Sequence, residues 1–334
     1  MPVDICVGGQ KGDEGKGKIC EYLNSNIGYD IILRVSKPQA GHSIIHNGQR
    51  IGLATIPCGF TNPKSRILIG TGAYISIEKL LKEIKTTSLP QQRVGIDYNA
   101  AIISEEHVKE EKANLNLMKE VGSVGTGSGP ATRDKIMRSP HLKFAKDFKE
   151  LSPYLTDTKE EINLCLEKNG QILIEGDQGY LLSLTHGNFP HVTSDDTTAS
   201  AFLSKAGIGP REARNVYIIF KPYTSRVGAG SLENEILNPE ILKWFHNEGC
   251  EKGTVSGRLR RIGEFEWDNA LKAIRANSAN KLCFTHFDYF QKNEKKEEFL
   301  SKLESSILNV YPFPKLSIIS FGPNPEDTMS YEKE

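Results

Sequence analysis

From Cys6 to Ile19 the chain reads Cys6-Val7-Gly8-Gly9-Gln10-Lys11-Gly12-Asp13-Glu14-Gly15-Lys16-Gly17-Lys18-Ile19: a β-prone apolar run, a glycine-dense loop, then a helical pattern. Such a loop cradles phosphate. Glycines let successive backbone N–H groups turn inward, the helix N-terminus adds the positive end of its dipole, and Lys16 or Lys18 neutralises phosphate charge. Gly12, Gly17 and Lys18 satisfy the Gly-x4-Gly-Lys spacing of a nucleotide-binding loop, but Ile19 stands where a Ser or Thr would hold magnesium. That departure disfavours a GTPase switch of the ordinary kind. Asp13 lies inside the cradle, where phosphate would repel a carboxylate unless a cation or a proton transfer required it. Magnesium ligation, general-base work, or both would explain it.

Two further segments carry chemistry. Ala40-Gly41-His42-Ser43 follows a β-prone run. A single histidine is more often structural, and the company of the glycine loop is what favours a working role here. Thr254-Val255-Ser256-Gly257-Arg258-Leu259-Arg260 offers two guanidinium groups, the side chain best shaped for two-pronged recognition of a carboxylate.

The elements that must position these residues show in the hydrophobic pattern. Asp4–Val7, Asp30–Val35, Arg66–Ile69, Gln171–Glu175, Val216–Phe220, Lys281–Thr285 and Leu316–Ser320 read as strands. Helical patterns fill the intervals at Lys16–Leu23, Ile77–Ile84, Lys159–Leu166, Ile241–His246, Trp267–Ala276 and Glu297–Ile307. Strands apolar on both faces and spaced by helices imply an α/β fold with a mainly parallel central sheet covered by helices on both faces. The phosphate loop makes it P-loop-NTPase-like with a modified loop. No repeat or low-complexity linker divides the chain, so residues 1–334 are expected to form one domain. The Lys/Glu run Lys292–Glu298 reads as a solvated helix start.

Composition narrows the partners. The 42 basic residues balance 42 acidic ones, so no net field favours nucleic acid or an anionic membrane, and a charged ligand should be small. The six cysteines are scattered without a Cys-x-x-Cys pair, which points to free thiols instead of disulfides or structural zinc. No leader pattern or membrane-length apolar run is present, so a cytoplasmic location is expected.

The motifs together resemble one family. Gly9-Gln10-x-Gly12-Asp13-Glu14-Gly15-Lys16-Gly17-Lys18 is similar to the signature of adenylosuccinate synthetase, and Ala40-Gly41-His42-Ser43 to its second element. Further matches follow in order: Gly125-x-Gly127-x-Gly129-Pro130-Ala131 with Asp134, Lys135 and Arg138; Glu175-Gly176-x-Gln178-Gly179; His186-Gly187-x-Phe189-Pro190-x-Val192-Thr193-Ser194. Arg226-Val227-Gly228-Ala229-Gly230, Ser256-Gly257-Arg258-x-Arg260-Arg261, Thr285-x-x-Asp288 and Ser320-x-Gly322-Pro323 complete them, and the length resembles the compact archaeal form.

The resemblance implies a C–N-forming ligase of purine biosynthesis. GTP phosphorylates the 6-oxygen of inosine monophosphate (IMP), and L-aspartate then displaces that phosphate. It implies Asp13 as general base and His42 as the donor at the phosphoryl group being transferred. Gly12, Asp13, Glu14, Gly15, Lys16, Gly17, Lys18, Gly41, His42, Ser43, Arg260, Asp288, Ser320 and Gly322 would meet GTP, with Asp288 reading the guanine. Asp13, Lys16, Gln39, Val124, Arg138, Gln178, Thr193 and Arg258 would meet IMP. Thr254, Val255, Ser256, Gly257, Arg258 and Arg260 would meet aspartate, and Asp13 with the Gly41 carbonyl would hold Mg²⁺. Arg138 would complete the neighbouring subunit's site, which implies a homodimer.

Some positions depart from the family pattern. Lys11 replaces a Trp, Gln39 an Asn, Val124 a Thr, Leu259 an Arg and His286 a Lys. Phage relatives that aminate GMP or dGMP are the near alternative, but they typically lack the loop carboxylate that Asp13 retains. A non-catalytic nucleotide-binding protein is the alternative of another class.

Overall fold

A computed structural model of the chain describes residues 1–247, 251–253, 257–291 and 295–331. Its frame follows from strands whose alternate side chains are apolar on both faces. In Val3–Gly8, Ile5 and Val7 enter one buried cluster and Cys6 another, and Leu33 and Ile32 of Ile31–Arg34 divide in the same way. Such strands need helices on both sides. Lys16–Ile27 and Ile77–Thr87 cover the face of Cys6 and Ile32. Thr158–Glu167, Ala199–Ala206, Trp267–Ala276 and Lys296–Leu303 cover the other.

Ten strands make the sheet, in the order Thr328–Ser330, Lys315–Ser320, Lys281–Phe284, Ala213–Phe220, Val3–Gly8, Ile172–Glu175, Ile31–Arg34, Arg66–Ile69, Val94–Asp97 and Leu155–Thr156. All pairings are parallel except that of the edge strand Thr328–Ser330. Every strand expected from the sequence is present. Val94–Asp97, Leu155–Thr156 and Thr328–Ser330 are additional: Gly95 breaks the apolar run of the first, and the other two are only two and three residues long.

The structure differs from the sequence reading at several elements. His42 lies at the start of a strand, His42–His46, paired antiparallel with Gln49–Leu53, and not in a turn. The hairpin is polar and only half buried, so it lacks the apolar alternation that marks a strand. Helix Glu105–Ala113 is nearly all charged and is started by a reciprocal Ser104–His107 cap. The predicted Glu297–Ile307 helix runs as Lys296–Leu303 and widens into a π turn to Leu308. In the Lys/Glu run, residues 292–294 lie outside the described residues. Among the described residues, no helix is long and apolar enough to cross a membrane, and Cys6, Cys20, Cys58, Cys165 and Cys283 are free.

Parallel strands present their C-terminal ends along one edge, where ligands of open α/β sheets bind. Val3–Gly8 leads there into the glycine loop, and Ile31–Arg34 and Ile172–Glu175 end on Arg34 and Glu175. Ala213–Phe220 leads into Lys221, Lys281–Phe284 into Thr285, and Lys315–Ser320 ends on Ser320.

Candidate active site

The glycine loop is held from behind. Gly12, Asp13 and Gly15 take φ values of 85°, 61° and 81°, the left-handed region that turns backbone N–H groups inward. Glu14 is fully buried, and its carboxylate accepts from the N–H of Gln10 at 3.1 Å, the N–H of Gly12 at 2.8 Å and the Lys16 amine at 2.5 Å. Side chains at Gly8 and Gly179 would come within 2.4 Å and 2.3 Å of its two oxygens, so both positions must be bare. Glu14, expected at GTP, lines neither of the cavities described next and instead shapes the loop.

Two cavities meet in front of this loop, of about 410 Å³ and about 210 Å³. Asp13, Lys16, Gly41 and His42 line both. The larger is also lined by Gly12, Gln39, Val124, Gln178, Thr193 and Arg258. The smaller has Gly15, Gly17, Lys18, Ser43, Arg260, Asp288, Ser320 and Gly322 in its wall. Most of the residues expected at the two nucleotides therefore sort into two adjoining spaces, with the expected proton-handling pair at the junction; Gly12, expected at GTP, lines only the larger. Arg260 faces the smaller cavity and not the larger. Arg138 and Gly257 are exposed and line neither, and Thr254, Val255 and Ser256 lie outside the described residues.

His42 is clamped through one ring nitrogen. Its Nδ1 lies 2.5 Å from Oε1 of Glu175, a fully buried carboxylate that also sits 3.3 Å from the Arg34 guanidinium and accepts from the Cys58 N–H at 2.7 Å. Burial works to raise Glu175, but Arg34 and His42 outweigh it and hold it below the usual carboxylate range. An ionised Glu175 fixes the proton on Nδ1, which leaves Nε2 for the cavities. Burial first, then the charges of Arg34 and Lys16, lowers His42 itself, so the ring is neutral before an anion arrives. His42, Cys58 and Glu175 come close enough together to hold a metal ion, but Arg34 already supplies the positive charge there.

Asp13 meets Arg260, whose Nε stands 2.9 Å from Oδ2 without the alignment of a hydrogen bond. Arg260 Nη1 donates to Glu251 at 2.6 Å, and Glu251 also accepts from Lys221 at 2.8 Å and the Tyr223 hydroxyl at 2.5 Å. Burial would raise Glu251, but Lys221 and Arg260 hold it far below the usual range. Lys18 reaches the Gly322 carbonyl and is pushed down to about 8 by burial, with Asp327 and Asp288 opposing. Asp288, half buried, is raised by burial.

The departures from the family pattern have local partners. Lys11 pairs with buried Glu266. Gln39 donates to Thr193 at 3.3 Å and accepts from Ser128. Lys37, just before the second motif, donates to Thr132 at 2.7 Å and to the Ser194 carbonyl at 2.8 Å. Leu259 is largely exposed, and His286 lies beside Thr285 in the smaller cavity, pushed down to about 4 chiefly by burial.

Sequence reasoning assigned no role to Glu175, Arg34, Glu251, Lys221 or Arg226. A charged residue at the end of an apolar strand was the available signal for Glu175 and Arg34. Nothing comparable marks Glu251, whose partners lie 9 and 30 residues away in the chain.

The family model described as adenylosuccinate synthetase matches residues 5–146 and 141–296. The chain is 40% identical to the adenylosuccinate synthetase of Methanococcus aeolicus over 343 residues, covering 98% of this chain and 99% of that one. With the Pyrococcus horikoshii enzyme it shares 40% identity over 322 residues, 92% and 93% of the two chains. The fold superposes on fully ligated adenylosuccinate synthetase from Plasmodium falciparum with a TM-score of 0.85 at 23% identity, covering 99% and 100% of the chains. It superposes on the succinoaminodeoxyadenylate synthetase of cyanophage S-2L, bound to dGMP and to dATP as energy donor, at 0.84 and 26%, covering 98% and 95%. By family match and by full-length identity, the chain belongs to the adenylosuccinate synthetases, ligases that form a C–N bond.

Proposed function

We propose that the larger cavity takes IMP and L-aspartate, the smaller takes GTP, and the chain joins aspartate to IMP in purine biosynthesis, with release of GDP and phosphate. One observation carries this reading: the two cavities share Asp13, Lys16, Gly41 and His42, so a base and an acid stand where two ligands would touch. Asp13 takes the N1 proton of IMP, which makes the 6-oxygen a nucleophile toward the γ-phosphorus. Charge then grows on the oxygen leaving that phosphorus. His42 becomes protonated as the triphosphate places negative charge beside it, and donates from Nε2 to that oxygen, because Glu175 occupies Nδ1. The aspartate amine attacks C6 and expels the phosphate.

Asp13 and the Gly41 carbonyl are hard oxygen donors at the rim of both cavities, and Asp13 keeps 30% of its side chain exposed, so they fit Mg²⁺. The ion would neutralise phosphate charge there. Asp288 in the smaller cavity accepts from the N1–H and 2-amino group of guanine, donors that adenine lacks. An enzyme of this biosynthetic reaction would work in the cytoplasm.

Asp13→Asn and His42→Asn are each expected to lower turnover by at least about 10²-fold while GTP binding falls far less. Near-normal turnover in either purified variant sinks the assigned roles. The phage enzyme that binds dGMP with dATP supports a second reading, amination of a guanylate. A matrix of IMP, GMP and dGMP against GTP and ATP, read by mass spectrometry of the succino-nucleotide, separates the two.

A further inference from the structure

Arg226 closes strand Thr224–Arg226, lines the larger cavity and is only 5% exposed. Its Nη2 donates to the His191 carbonyl at 3.0 Å, while Nε and Nη1 are buried without a hydrogen-bond partner. The neighbouring carboxylates are engaged elsewhere: Glu266 by the Lys11 amine and the Asn269 amide, Glu235 by Arg261. Burial, then the charge of Arg261, lowers Arg226, with Glu266 opposing. A buried guanidinium with two nitrogens left without hydrogen-bond partners is costly unless an anion completes it, and its fork matches a carboxylate.

The backbone makes room for this group. A side chain at Gly230 would come within 2.8 Å of the guanidinium carbon, and φ there is 99°. Gly228 packs against Gly122, whose carbonyl accepts from Arg258 at 3.1 Å. The Arg226–Gly230 motif therefore brings Arg226 and Arg258 to one flank of the larger cavity. Arg260, expected at both GTP and aspartate, pairs with Glu251 and Asp13 in the wall of the smaller cavity.

We infer that Arg226 is a further carboxylate-recognising arginine of the amino-acid subsite, acting beside Arg258. The inference rests on the aspartate-ligating reading and deepens it.

The test is Arg226→Met and Arg226→Lys in the full chain, read by steady-state kinetics and by calorimetric binding of aspartate and of succinate in the presence of nucleotides. Losing a charge-assisted fork should raise KM and Kd for aspartate by about 10- to 100-fold. The Lys variant, which keeps the charge but loses the fork, should fall between, and KM for the purine nucleotide and for the triphosphate should stay within about 3-fold of wild type. If Arg226→Met does not fold, the Lys variant decides. A rise in the purine-nucleotide KM with aspartate unchanged would mean that Arg226 reads the nucleotide, and no change in either would make it a structural group; both results overturn the inference. If wild type joins aspartate to none of the purine nucleotides, the functional reading has failed, and the binding measurements still judge Arg226.

Discussion

At the scale of single residues, the site depends on which proton sits on which atom. His42 is useful only if Nε2 faces the ligands, and that is set by Glu175, a carboxylate that touches neither cavity. Glu175→Gln keeps the shape but removes the charge that stabilises a protonated ring. Arg34 would remain held by Ser36 at 2.6 Å and by the Ala40 carbonyl at 2.7 Å, so the variant should fold. We expect kcat to drop by about 10- to 100-fold with nucleotide KM values nearly unchanged. Wild-type kcat in the folded variant would show that Glu175 is packing only.

At the scale of elements, the end of strand Lys281–Phe284 carries two groups whose charged forms burial disfavours: His286, pushed down to about 4, and Asp288, raised. His286 binds its proton more weakly folded than unfolded. Its contribution to stability is therefore complete above about pH 6.5 and is lost as pH falls toward 4. That loss should amount to about 2 kcal/mol, less than the full shift because some solvent reaches the residue. His286→Asn suits the φ of 53° and should flatten the stability curve between those limits in urea titrations, and an unchanged slope would refute the assignment. Asp288→Asn should lower kcat/KM for GTP and narrow the GTP/ATP ratio, because a pocket built for two donors rejects a base that lacks them. Equal use of ATP by wild type would remove Asp288 as the base reader.

At the scale of the whole molecule, Arg138 lies exposed beside Ile136 and Met137, which are 70% and 72% exposed. Apolar side chains left open at a helix end, next to a cation that lines neither of the two cavities, are what a shared interface would use. We expect a homodimer in which Arg138 enters the partner's larger cavity. Mixing inactive Arg138→Leu with inactive Asp13→Asn should then restore about a quarter of wild-type activity after full exchange, since half the dimers are mixed and each has one intact site. Exchange demonstrated without any recovery would end the shared-site proposal.

Sequence alone determined the sheet strands whose side chains are apolar on both faces, the glycine loop with Asp13 in it, and the order of the motifs that mark the family. These are local: a buried strand needs an apolar run, and a left-handed turn needs glycine, so each leaves its record in adjacent residues. Tertiary structure decided the rest. It placed Asp13 and His42 at the junction of two cavities, although 29 positions separate them in the chain. It turned the Glu14 carboxylate back onto its own loop and set Arg260, expected at both GTP and aspartate, in the wall of the smaller cavity beside Glu251. It also left Nε and Nη1 of the buried Arg226 without a hydrogen-bond partner. A buried charge is satisfied by whichever group the fold brings beside it, and those groups come from distant segments; hydrophobic periodicity records which face is buried, but not which partner waits there.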